Sequence, residues 1–395
     1  MAYLSSQKAT GERSNLAGPY YGYDKTSLED RLEWFSKHEK DILESAADPI
    51  ANTFWQTGDQ KYVWRMLAFC LDYQRVVSGG LSHMPACQDC TSSGFQVLSA
   101  LMRSDEGAGL VNLKPTDEPV DLYAKVADRG REIIAEGKPL IKSDLGEWAV
   151  QEIVAQGIPV SRKLSKAIVM PKVYGSRTMS GAQRICEELN ANLKVYELDT
   201  LKFAIAHTLA VALEQALDEL MGPATEFQKW LSSVGYIIGK NALEPVLTLP
   251  DGFQVVISER EKHTIKIENS YFKRERFNFA TGLPDKFNPR RYASTLPPNL
   301  VHALDATVLR ILATKLEAHG ITSVTVCHDD IGCHCIHLEL VNKLYREAFL
   351  ETIEKCTLIE QLYAIAKDVD DSTPQPPAQG EYDLNEILTA RYALS

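Results

Sequence analysis

The chain has 395 residues, with 42 Lys and Arg against 53 Asp and Glu, so its formal net charge at pH 7 is −11. Hydrophobic residues at 45% and charged residues at 24% are ordinary values for a globular protein, which excludes a disordered or fibrous chain. No apolar run approaches the roughly 18 residues that a membrane span needs, and the polar N-terminus predicts no signal peptide. The acidic balance argues against a protein that bulk charge alone holds to nucleic acid, but it leaves room for a local basic cleft.

Periodicity predicts an α+β fold dominated by helices. Helical spacing predicts helices over 28–47, 61–77, 95–102, 144–156 and 200–221, and one that starts at 115–118 and runs to 134. Alternating apolar and polar residues predict strands over 254–279 and 322–338. The second stretch is predicted to be a hairpin whose tip carries the adjacent carboxylates of Asp329 and Asp330.

Two aspartates lie where a cation site would be expected. Asp89 stands between a short apolar stretch and a run of small residues that leads into a predicted helix, and Asp329 stands in the hairpin turn. Helix N-caps and turns explain each aspartate equally well when it is taken alone. Brought together, two such carboxylates can hold two divalent cations, one activating a nucleophilic oxygen and the other stabilising the leaving oxygen.

A cationic stripe is the strongest local signal. Arg162, Lys166, Met170 and Tyr174 recur at steps of four residues and therefore follow one face of a helix. Lys166 and Tyr174 would lie roughly 12 Å apart, which matches the reach from the phosphates of a nucleoside triphosphate to its sugar and base. A solvated basic face with a buried tyrosine is the alternative. Pro171 lies inside this helix, where we expect a kink.

These segments resemble motifs A, B and C of the single-subunit RNA polymerases of T-odd phages and mitochondria. Motif A is similar to Asp89-Cys-Thr-Ser-Ser-Gly-Phe-Gln96, and motif C is similar to His328-Asp329. Motif B is similar to the stripe Arg162-x-x-x-Lys166-x-x-x-Met170-x-x-x-Tyr174-Gly175. The order and the separations also agree, and the likeness covers nearly the whole chain but only about the C-terminal half of a full family member.

The resemblance implies a right-hand polymerase fold with palm and fingers, rich in helix and with a small antiparallel palm sheet. It assigns residues 1–78 to a palm-associated helical module and 79–105 to the palm with motif A. Residues 106–302 would form the fingers, including motif B and a hairpin at 254–279 that resembles the specificity loop. Residues 303–395 would form the palm with motif C and a C-terminal foot. The N-terminal domain and the thumb are expected to be absent from this chain.

The resemblance assigns a catalytic role to two carboxylates, a lysine and a tyrosine, namely Asp89, Asp329, Lys166 and Tyr174. The two carboxylates would hold two Mg²⁺ ions, with the backbone carbonyl of Cys90 as a further ligand. The lysine would contact the triphosphate, and the tyrosine would select the ribose. The other residues implied to contact the incoming nucleotide are Arg162, Lys25, Met170 and Gly175.

Nucleic-acid contacts are implied for a second group of residues. His302, in the sequence Pro298-Asn-Leu-Val-His302, resembles the histidine that touches the minor groove of the new base pair. Tyr123 and His328 would line the site. Lys273, Arg274 and Arg276 would act from the hairpin that takes the place of the specificity loop, although an ordinary solvated hairpin explains them equally well.

The implied function is that of the catalytic subunit of a DNA-dependent RNA polymerase, which adds NTPs to an RNA 3′ end on a DNA template. Within the family the chain most resembles the large subunit of the heterodimeric RNA polymerase II of podoviral phages. We therefore expect a smaller partner subunit that carries the N-terminal domain, the thumb and an Asp-x-x-Gly-Arg segment, which this sequence lacks. Other expected partners are the template, nascent RNA, NTPs and a phage ssDNA-binding or recruitment factor, without a membrane. Eight cysteines suggest a reducing compartment, here the cytoplasm of an infected bacterial host.

Two departures from the family pattern bear on the site. The family often has Arg directly after the motif B lysine, whereas this chain has Ala167, so Lys163 or Lys172 would have to compensate. Asp330 directly follows the motif C aspartate, and its part in metal binding is left open.

Alternative functions remain open at this level. A DNA polymerase fragment of the related A family would be expected to carry a carboxylate soon after the motif A aspartate, and 90–96 contains none. A zinc-binding accessory protein is suggested by Cys87, Cys90 and the Cys- and His-rich segment 327–337, but alternate strand residues point to opposite faces. A decayed, purely DNA-binding relative is disfavoured because Asp89, Lys166 and Asp329 are all present.

Overall fold

The computed structural model describes residues 20–22, 26–189, 198–260, 264–269, 275–280, 282 and 286–394. Thirteen α-helices in these ranges are numbered here in chain order: α1 Leu28–Ala47, α2 Val63–Val77, α3 Ser93–Leu101, α4 Asp105–Leu110, α5 Leu122–Ala135, α6 Asp144–Ala155, α7 Arg162–Val173, α8 Thr178–Glu188, α9 Asp199–Leu220, α10 Gly222–Lys240, α11 Pro289–Ala318, α12 Leu338–Glu354 and α13 Leu358–Val369. The strands are β1 Ala86–Gln88, β2 Val246–Thr248, β3 Gln254–Val256, β4 Thr264–Asn269, β5 Glu275–Ala280, β6 Val324–Cys327 and β7 Asp330–Cys333. The predicted α+β, helix-rich class with small antiparallel sheets is confirmed.

The sheet that matters for function has three antiparallel strands in the order β1–β7–β6. Ala86 of β1 pairs with Cys333 of β7, and Cys327 of β6 pairs with Asp330 of β7. Ile331 is 1% exposed because one face of β7 packs on the main hydrophobic core. The pairing joins a segment near the N-terminus to one near the C-terminus, and it fixes the edge at which the two aspartate-bearing segments meet.

The main core is built around α9, α10 and α11. Gly235 and Gly239 of α10 allow this helix to approach α11 closely, since a Cβ atom at Gly235 would lie 2.7 Å from the carbonyl oxygen of Tyr292. The hydroxyl of Tyr292, which is fully buried, donates a hydrogen bond to the carbonyl of Leu243. A separate aromatic cluster, with Trp34 and Phe69 among its members, joins α1 to α2.

The spacing of apolar residues predicted the bounds of several helices correctly. The helices predicted over 28–47, 144–156 and 200–221 are present within one residue at each end, and the helix predicted over 61–77 begins two residues later. Ser27 and Ser143 cap the starts of α1 and α6 by accepting hydrogen bonds from Asp30 and Gly146 backbone amides. Both α1 and α6 are capped amphipathic helices, for which periodicity is a sufficient signal.

The predicted helix start at 115–118 is wrong. The helix α5 begins at Leu122, because the Asp121 side chain accepts hydrogen bonds from the Tyr123 and Ala124 backbone amides and acts as the N-cap. Asn112 holds the segment before it, because its side chain accepts a hydrogen bond from the Val120 amide and donates one to the Val120 carbonyl.

Both predicted strand regions need correction. Gln254–Val256 pairs with Val246–Thr248 around a turn at Gly252, and the hairpin proper is formed by Thr264–Asn269 and Glu275–Ala280. Strand β7 stops at Cys333, and a 3₁₀ turn over Cys335–His337 leads into α12, so 322–338 is not one alternating hairpin. The helices in the described ranges include none that is both long and apolar enough to cross a bilayer.

Candidate active site

The two aspartates reach the same edge of the three-stranded sheet. Gln88, the last residue of β1, pairs with Ile331, so the next residue in each direction brings Asp89 beside Asp330. Cys327 pairs with Asp330, which makes His328 and Asp329 the two residues of a tight turn, with His328 at a φ of 58°. Asp330 is therefore the first strand residue rather than part of the tip. The structure brings Asp89 and Asp329 together at one edge.

A buried thiol lies among the carboxylates of this edge. The Sγ of Cys90 is 2.9 Å from the hydroxyl oxygen of Tyr345. Burial raises the pKa of the Cys90 thiol well above its usual range, and the negative charges of Asp329, Asp305 and Asp89 raise it further. The three carboxylates are thus near enough to Cys90 for their charges to act on its thiol, which is held neutral.

Asp305 was not predicted from the sequence. It follows His302 by three residues on α11. Burial together with the charge of Asp329 raises the pKa of Asp305 to about 7, although a hydrogen bond with Ser93 lowers it. The available signal was its i+3 spacing from His302, which places both side chains on one face of the helix. The acidic site thus contains a third carboxyl group.

The cationic stripe faces this acidic edge through Tyr123. The guanidinium carbon of Arg162 lies 5.4 Å and the Nζ of Lys166 lies 5.8 Å from the centroid of the Tyr123 ring. The Tyr123 hydroxyl is hydrogen-bonded to Ser92. Burial is the main cause that raises the pKa of Tyr123, and the charge of Asp89 is among the smaller ones. Tyr123 therefore lies between the stripe and the first aspartate.

Arg162 is not free to act on a ligand alone, because its Nε donates to Asp121 Oδ2 at 2.5 Å. Asp121 is also the N-cap of α5, so one carboxylate ties α5 to the first residue of α7. The sequence reasoning missed Asp121. Lys166 is exposed one turn further along, and Met170 is exposed at the next step of the stripe.

The last turn of α7 is unusual because it contains Pro171, and the helix nevertheless continues to Val173. Pro171 has no N–H to donate to the carbonyl of Ala167. Arg184 supplies the missing donor, with Nη1 3.0 Å from the Ala167 carbonyl oxygen and Nη2 2.9 Å from Ser176 Oγ. No pattern in the sequence predicts this contact of Arg184. The contact holds the end of α7, from which Tyr174 follows.

Tyr174 caps α7 and stacks on His302. The two ring centroids are 4.7 Å apart and the planes differ by 16°. Burial raises the pKa of Tyr174, with the Ser93 hydroxyl hydrogen-bonded to it and the charges of Asp305 and Asp329 close by. Gly175 follows with a φ of +77°, a conformation that a side chain would strain. Tyr174 and His302, to which the resemblance gave separate roles, are thus in direct ring contact.

His302 and His328 also lie close to each other. Burial lowers the pKa of His302, and the neighbouring His328 lowers it further. His302 is exposed despite the stack.

Asp330 belongs to a different environment from Asp329. Burial raises its pKa, while Arg65 and a hydrogen bond with the Cys87 thiol lower it. Its Oδ1 atom is buried without a hydrogen-bond partner. The Cys87 thiol and the charge of Arg65 therefore both act on the Asp330 carboxyl.

The two lysines expected to compensate for Ala167 are engaged in ion pairs. Lys163 Nζ is 2.5 Å from Glu188 and Lys172 Nζ is 3.1 Å from Glu214. The cations that lie over the Tyr123 ring are instead Arg162 and Lys166.

Four of the predicted residues are not located. Lys25, Lys273 and Arg274 lie outside the described residues, and Arg276 belongs to β5 by its backbone only. All eight cysteines are in the described ranges and are free thiols, and no group of three or more Cys, His, Asp or Glu side chains in those ranges converges as metal ligands. The soft ligands that suggested zinc are thus not gathered in the part of the chain that the structure describes.

The arrangement defines a class of site. The acidic groups at the edge of the three-stranded sheet face the cations of α7, and Tyr123 lies between them. The stacked pair of Tyr174 and His302 lies at the C-terminal end of α7. Such a site suits a ligand that carries phosphates at one end and a sugar with a base at the other.

Comparison with known proteins identifies the family. The profile of the family described as DNA-dependent RNA polymerase matches residues 14–370, and the chain belongs to this family. It is 30% identical over 387 residues to DNA-directed RNA polymerase 1B, mitochondrial, of Nicotiana tabacum, covering 96% of this chain and 38% of the relative. It is 26% identical over 418 residues to the DNA-directed RNA polymerase of Enterobacteria phage K11, covering 95% of this chain and 46% of the relative. The chain therefore spans less than half the length of these relatives.

Proposed function

We propose that this chain carries the nucleotidyl-transfer centre of a DNA-dependent RNA polymerase, which adds NTPs to an RNA 3′ end on a DNA template. The observation that carries the proposal is the convergence of three separate segments. Asp89 after β1 and Asp329 in the β6–β7 turn share one sheet edge, and Tyr123 joins that edge to the cations of α7. Membership of the polymerase family supports the same reading.

Two Mg²⁺ ions are part of the proposal. Asp89 and Asp329 offer the hard carboxylate oxygens that Mg²⁺ prefers, with the Cys90 carbonyl as a further ligand. Bound magnesium would stabilise the charge that develops on the attacking and leaving oxygens. The protein's own part is to hold the two carboxylates at one edge and to keep the Cys90 thiol neutral between them.

The nucleotide would lie along α7. Lys166 would contact the triphosphate, with Arg162 held beside it by Asp121. Tyr174 would meet the ribose, and its stack on His302 would present both rings to the new base pair. Met170, which is exposed between these ends, would border the base.

The finer assignments are part of the same proposal. We assign 79–105 and 303–395 to a palm around the three-stranded sheet and 106–302 to fingers that carry α7. The separate aromatic cluster of α1 and α2 supports a helical module within 1–78. A smaller partner subunit, a recruitment factor, and a location in the cytoplasm of an infected bacterium stay predictions.

Two assays test the proposal, both in Mg²⁺ buffer. The first measures binding of a fluorescent ATP analogue to the chain, and the second measures extension of an RNA primer on a DNA template with NTPs or dNTPs. We expect Mg²⁺-dependent binding by the chain alone, and extension with NTPs that is weak or absent without the predicted smaller subunit and robust with it. Preferential extension with dNTPs would favour the DNA-polymerase alternative.

Asp329→Asn and Asp330→Asn form a matched pair of variants. The first should abolish extension, because it removes a carboxylate from the shared sheet edge. The second should retain most of it, because the Asp330 carboxyl is hydrogen-bonded to the Cys87 thiol, a contact that an asparagine can also make. Equal activity of the two variants would contradict the proposal.

A further inference from the structure

Trp64, near the start of α2, presents its indole ring to solvent. It is 73% exposed, whereas the other four tryptophans of the chain are buried or half-buried. The ring is nevertheless held in place, because its centroid lies 5.4 Å from that of Trp55. Trp55 is buried and donates a hydrogen bond from its Nε1 to the Pro49 carbonyl at 3.0 Å. Trp64 is therefore a positioned aromatic ring at the surface.

Trp64 begins an exposed stripe along α2. Ala68, Leu71 and Arg75 follow it at steps of four, three and four residues, and all of them are exposed. From Trp64 to Arg75 the stripe runs roughly 16 Å along the helix axis, which is about the length of five stacked nucleotides. The outer face of α2 is thus long enough to follow a short stretch of an extended ligand.

The exposed charges beside this stripe have one sign. Between residues 61 and 80, all of which the structure describes, the exposed charged side chains are those of Lys61, Arg65 and Arg75. The one acidic residue of this segment, Asp72, is buried and accepts two hydrogen bonds from the loop that leads into β1. In a chain with a net charge of −11, a helix face with only cations favours an anionic ligand.

Two of these cations also lie against a second aromatic ring. The Nζ of Lys61 is 4.8 Å and the guanidinium carbon of Arg65 is 5.7 Å from the centroid of the Tyr62 ring. The neighbouring helix α1 has the opposite character. Its exposed lysines, Lys37 and Lys40, each form a salt bridge with a glutamate four residues away, and its exposed acidic residues are Glu29, Asp30, Glu33, Glu39 and Glu44. An anionic ligand would therefore follow α2 and avoid α1.

We propose that the outer face of α2 binds single-stranded nucleic acid, with a base stacked on Trp64 and the phosphates beside the three cations. The inference rests on the proposed function for the kind of ligand, and it adds a binding surface outside the nucleotidyl-transfer centre. Aromatic rings among cations bind single strands with little dependence on sequence, because every base has a π-face. Since the loop bound by Asp72 leads into β1, a strand held here stays attached to the part of the chain that carries Asp89.

The test of stacking measures binding of labelled oligo(dT) and oligo(U), about 12 nucleotides long, by fluorescence anisotropy in chelating buffer. We expect both to bind, and a DNA duplex of the same length to bind more weakly, because its bases are stacked inside the helix. Trp64→Ala should weaken binding of the single strands about tenfold. Trp64→Phe keeps an aromatic ring and should retain most of the affinity, whereas Trp64→Leu keeps only apolar area and should lose it. The oligonucleotide that binds more tightly identifies the strand, RNA or DNA, that this surface takes.

The test of charge measures the same affinities at several salt concentrations. Each phosphate contact to a single strand contributes about 0.7 to the slope of log affinity against log salt concentration. The double variant Lys61→Ala and Arg75→Ala should therefore reduce this slope by about 1.4. The matched control is the double variant Lys37→Ala and Lys40→Ala, which removes two exposed lysines from α1 and should leave the slope unchanged.

Three results would overturn the proposal. The first is equal affinity of wild type, Trp64→Ala and Trp64→Leu for the single strands, with unchanged melting temperatures. The second is duplex binding that is tighter than single-strand binding and independent of Trp64. The third is self-association, measured by light scattering, that Trp64→Ala abolishes while oligonucleotide binding stays the same, since the face would then be a protein contact.

Binding of the fluorescent ATP analogue in Mg²⁺ buffer separates this proposal from the proposed function. It should be the same in wild type and in the Trp64 variants, because Trp64 lies outside the nucleotide site. A chain that binds the analogue but no oligonucleotide would overturn the α2 surface alone. A chain that binds oligonucleotides through Trp64 but not the analogue would overturn the proposed function and leave the α2 surface in place.

Discussion

The end of α7 offers a sharp test of how this helix is held, through the side chain of Arg184. Its guanidinium donates to the Ala167 carbonyl that Pro171 cannot satisfy, and also to Ser176. We predict that Arg184→Ala destabilises the chain and that most of the effect depends on Pro171. The reasoning is that an alanine at 171 would restore the ordinary N–H to Ala167 and make the arginine partly redundant.

The magnitude follows from the two hydrogen bonds. A bond from a charged donor to a partly buried carbonyl is worth about 2 kcal/mol, and a bond to a serine hydroxyl about 1 kcal/mol. Arg184→Ala should therefore cost about 3 kcal/mol in the natural background and about 1 kcal/mol beside Pro171→Ala. The coupling energy of about 2 kcal/mol lies within the range measured for residues that share one network.

Urea unfolding followed by circular dichroism gives the four free energies of unfolding that the cycle needs. Gln228→Ala is the matched control, because Gln228 Nε2 donates to the Val173 carbonyl at 3.0 Å, in the same turn but independently of Pro171. Its cost should be the same with and without Pro171→Ala. If Arg184→Ala costs equally in both backgrounds, the interpretation of Arg184 as the replacement donor is wrong.

Two further predictions concern the contact of Gly94 in α3 with Val173 in α7 and the carboxyl group of Asp305. Gly94→Ala should lower the free energy of unfolding by about 2 kcal/mol through overpacking against Val173, and Val173→Ala should partly rescue it; additive losses in urea unfolding would refute the close contact. The pKa of Asp305 is raised from 3.8 to about 7. Between these two pH values the folded chain therefore keeps a proton on Asp305, whereas the unfolded chain has released it. Stability should therefore fall as pH rises from about 4 to about 7, by about 3 kcal/mol between pH 5 and pH 8, and Asp305→Asn should remove this dependence. Urea unfolding at the two pH values in chelating buffer checks the difference, and parallel pH profiles for wild type and variant would contradict it.

The sequence was informative wherever the signal is local. The stripe from Arg162 to Tyr174 lies on a helix because its period and its N-cap, Ser161, are encoded within that segment. The positions of Asp89 and Asp329 at a strand end and in a tight turn were predictable because neighbouring residues determine strand ends and tight turns. Their meeting at one sheet edge was expected from the family resemblance and is supplied by the pairing of β1 with β7.

The rest depends on contacts between distant segments. Asp305 has the sequence context of an ordinary helical carboxylate, and only its burial beside Ser93 and Asp329 makes it part of the site. Arg184 gains its role from a carbonyl that another residue left unpaired. Strand β3 pairs with β2 rather than with the long hairpin, a choice that alternation alone cannot make because every strand has the same period.

The central claim is that Asp89 and Asp329 jointly hold divalent cations in front of the α7 stripe. Mn²⁺ can stand in for Mg²⁺, and its binding is measured by the loss of the free-ion EPR signal in the presence of ATP. We predict that the wild-type chain and Asp330→Asn bind Mn²⁺ with similar affinity, and that Asp89→Asn and Asp329→Asn each weaken binding at least about tenfold. Binding that is unchanged in the last two variants, or lost only in Asp330→Asn, would contradict the account.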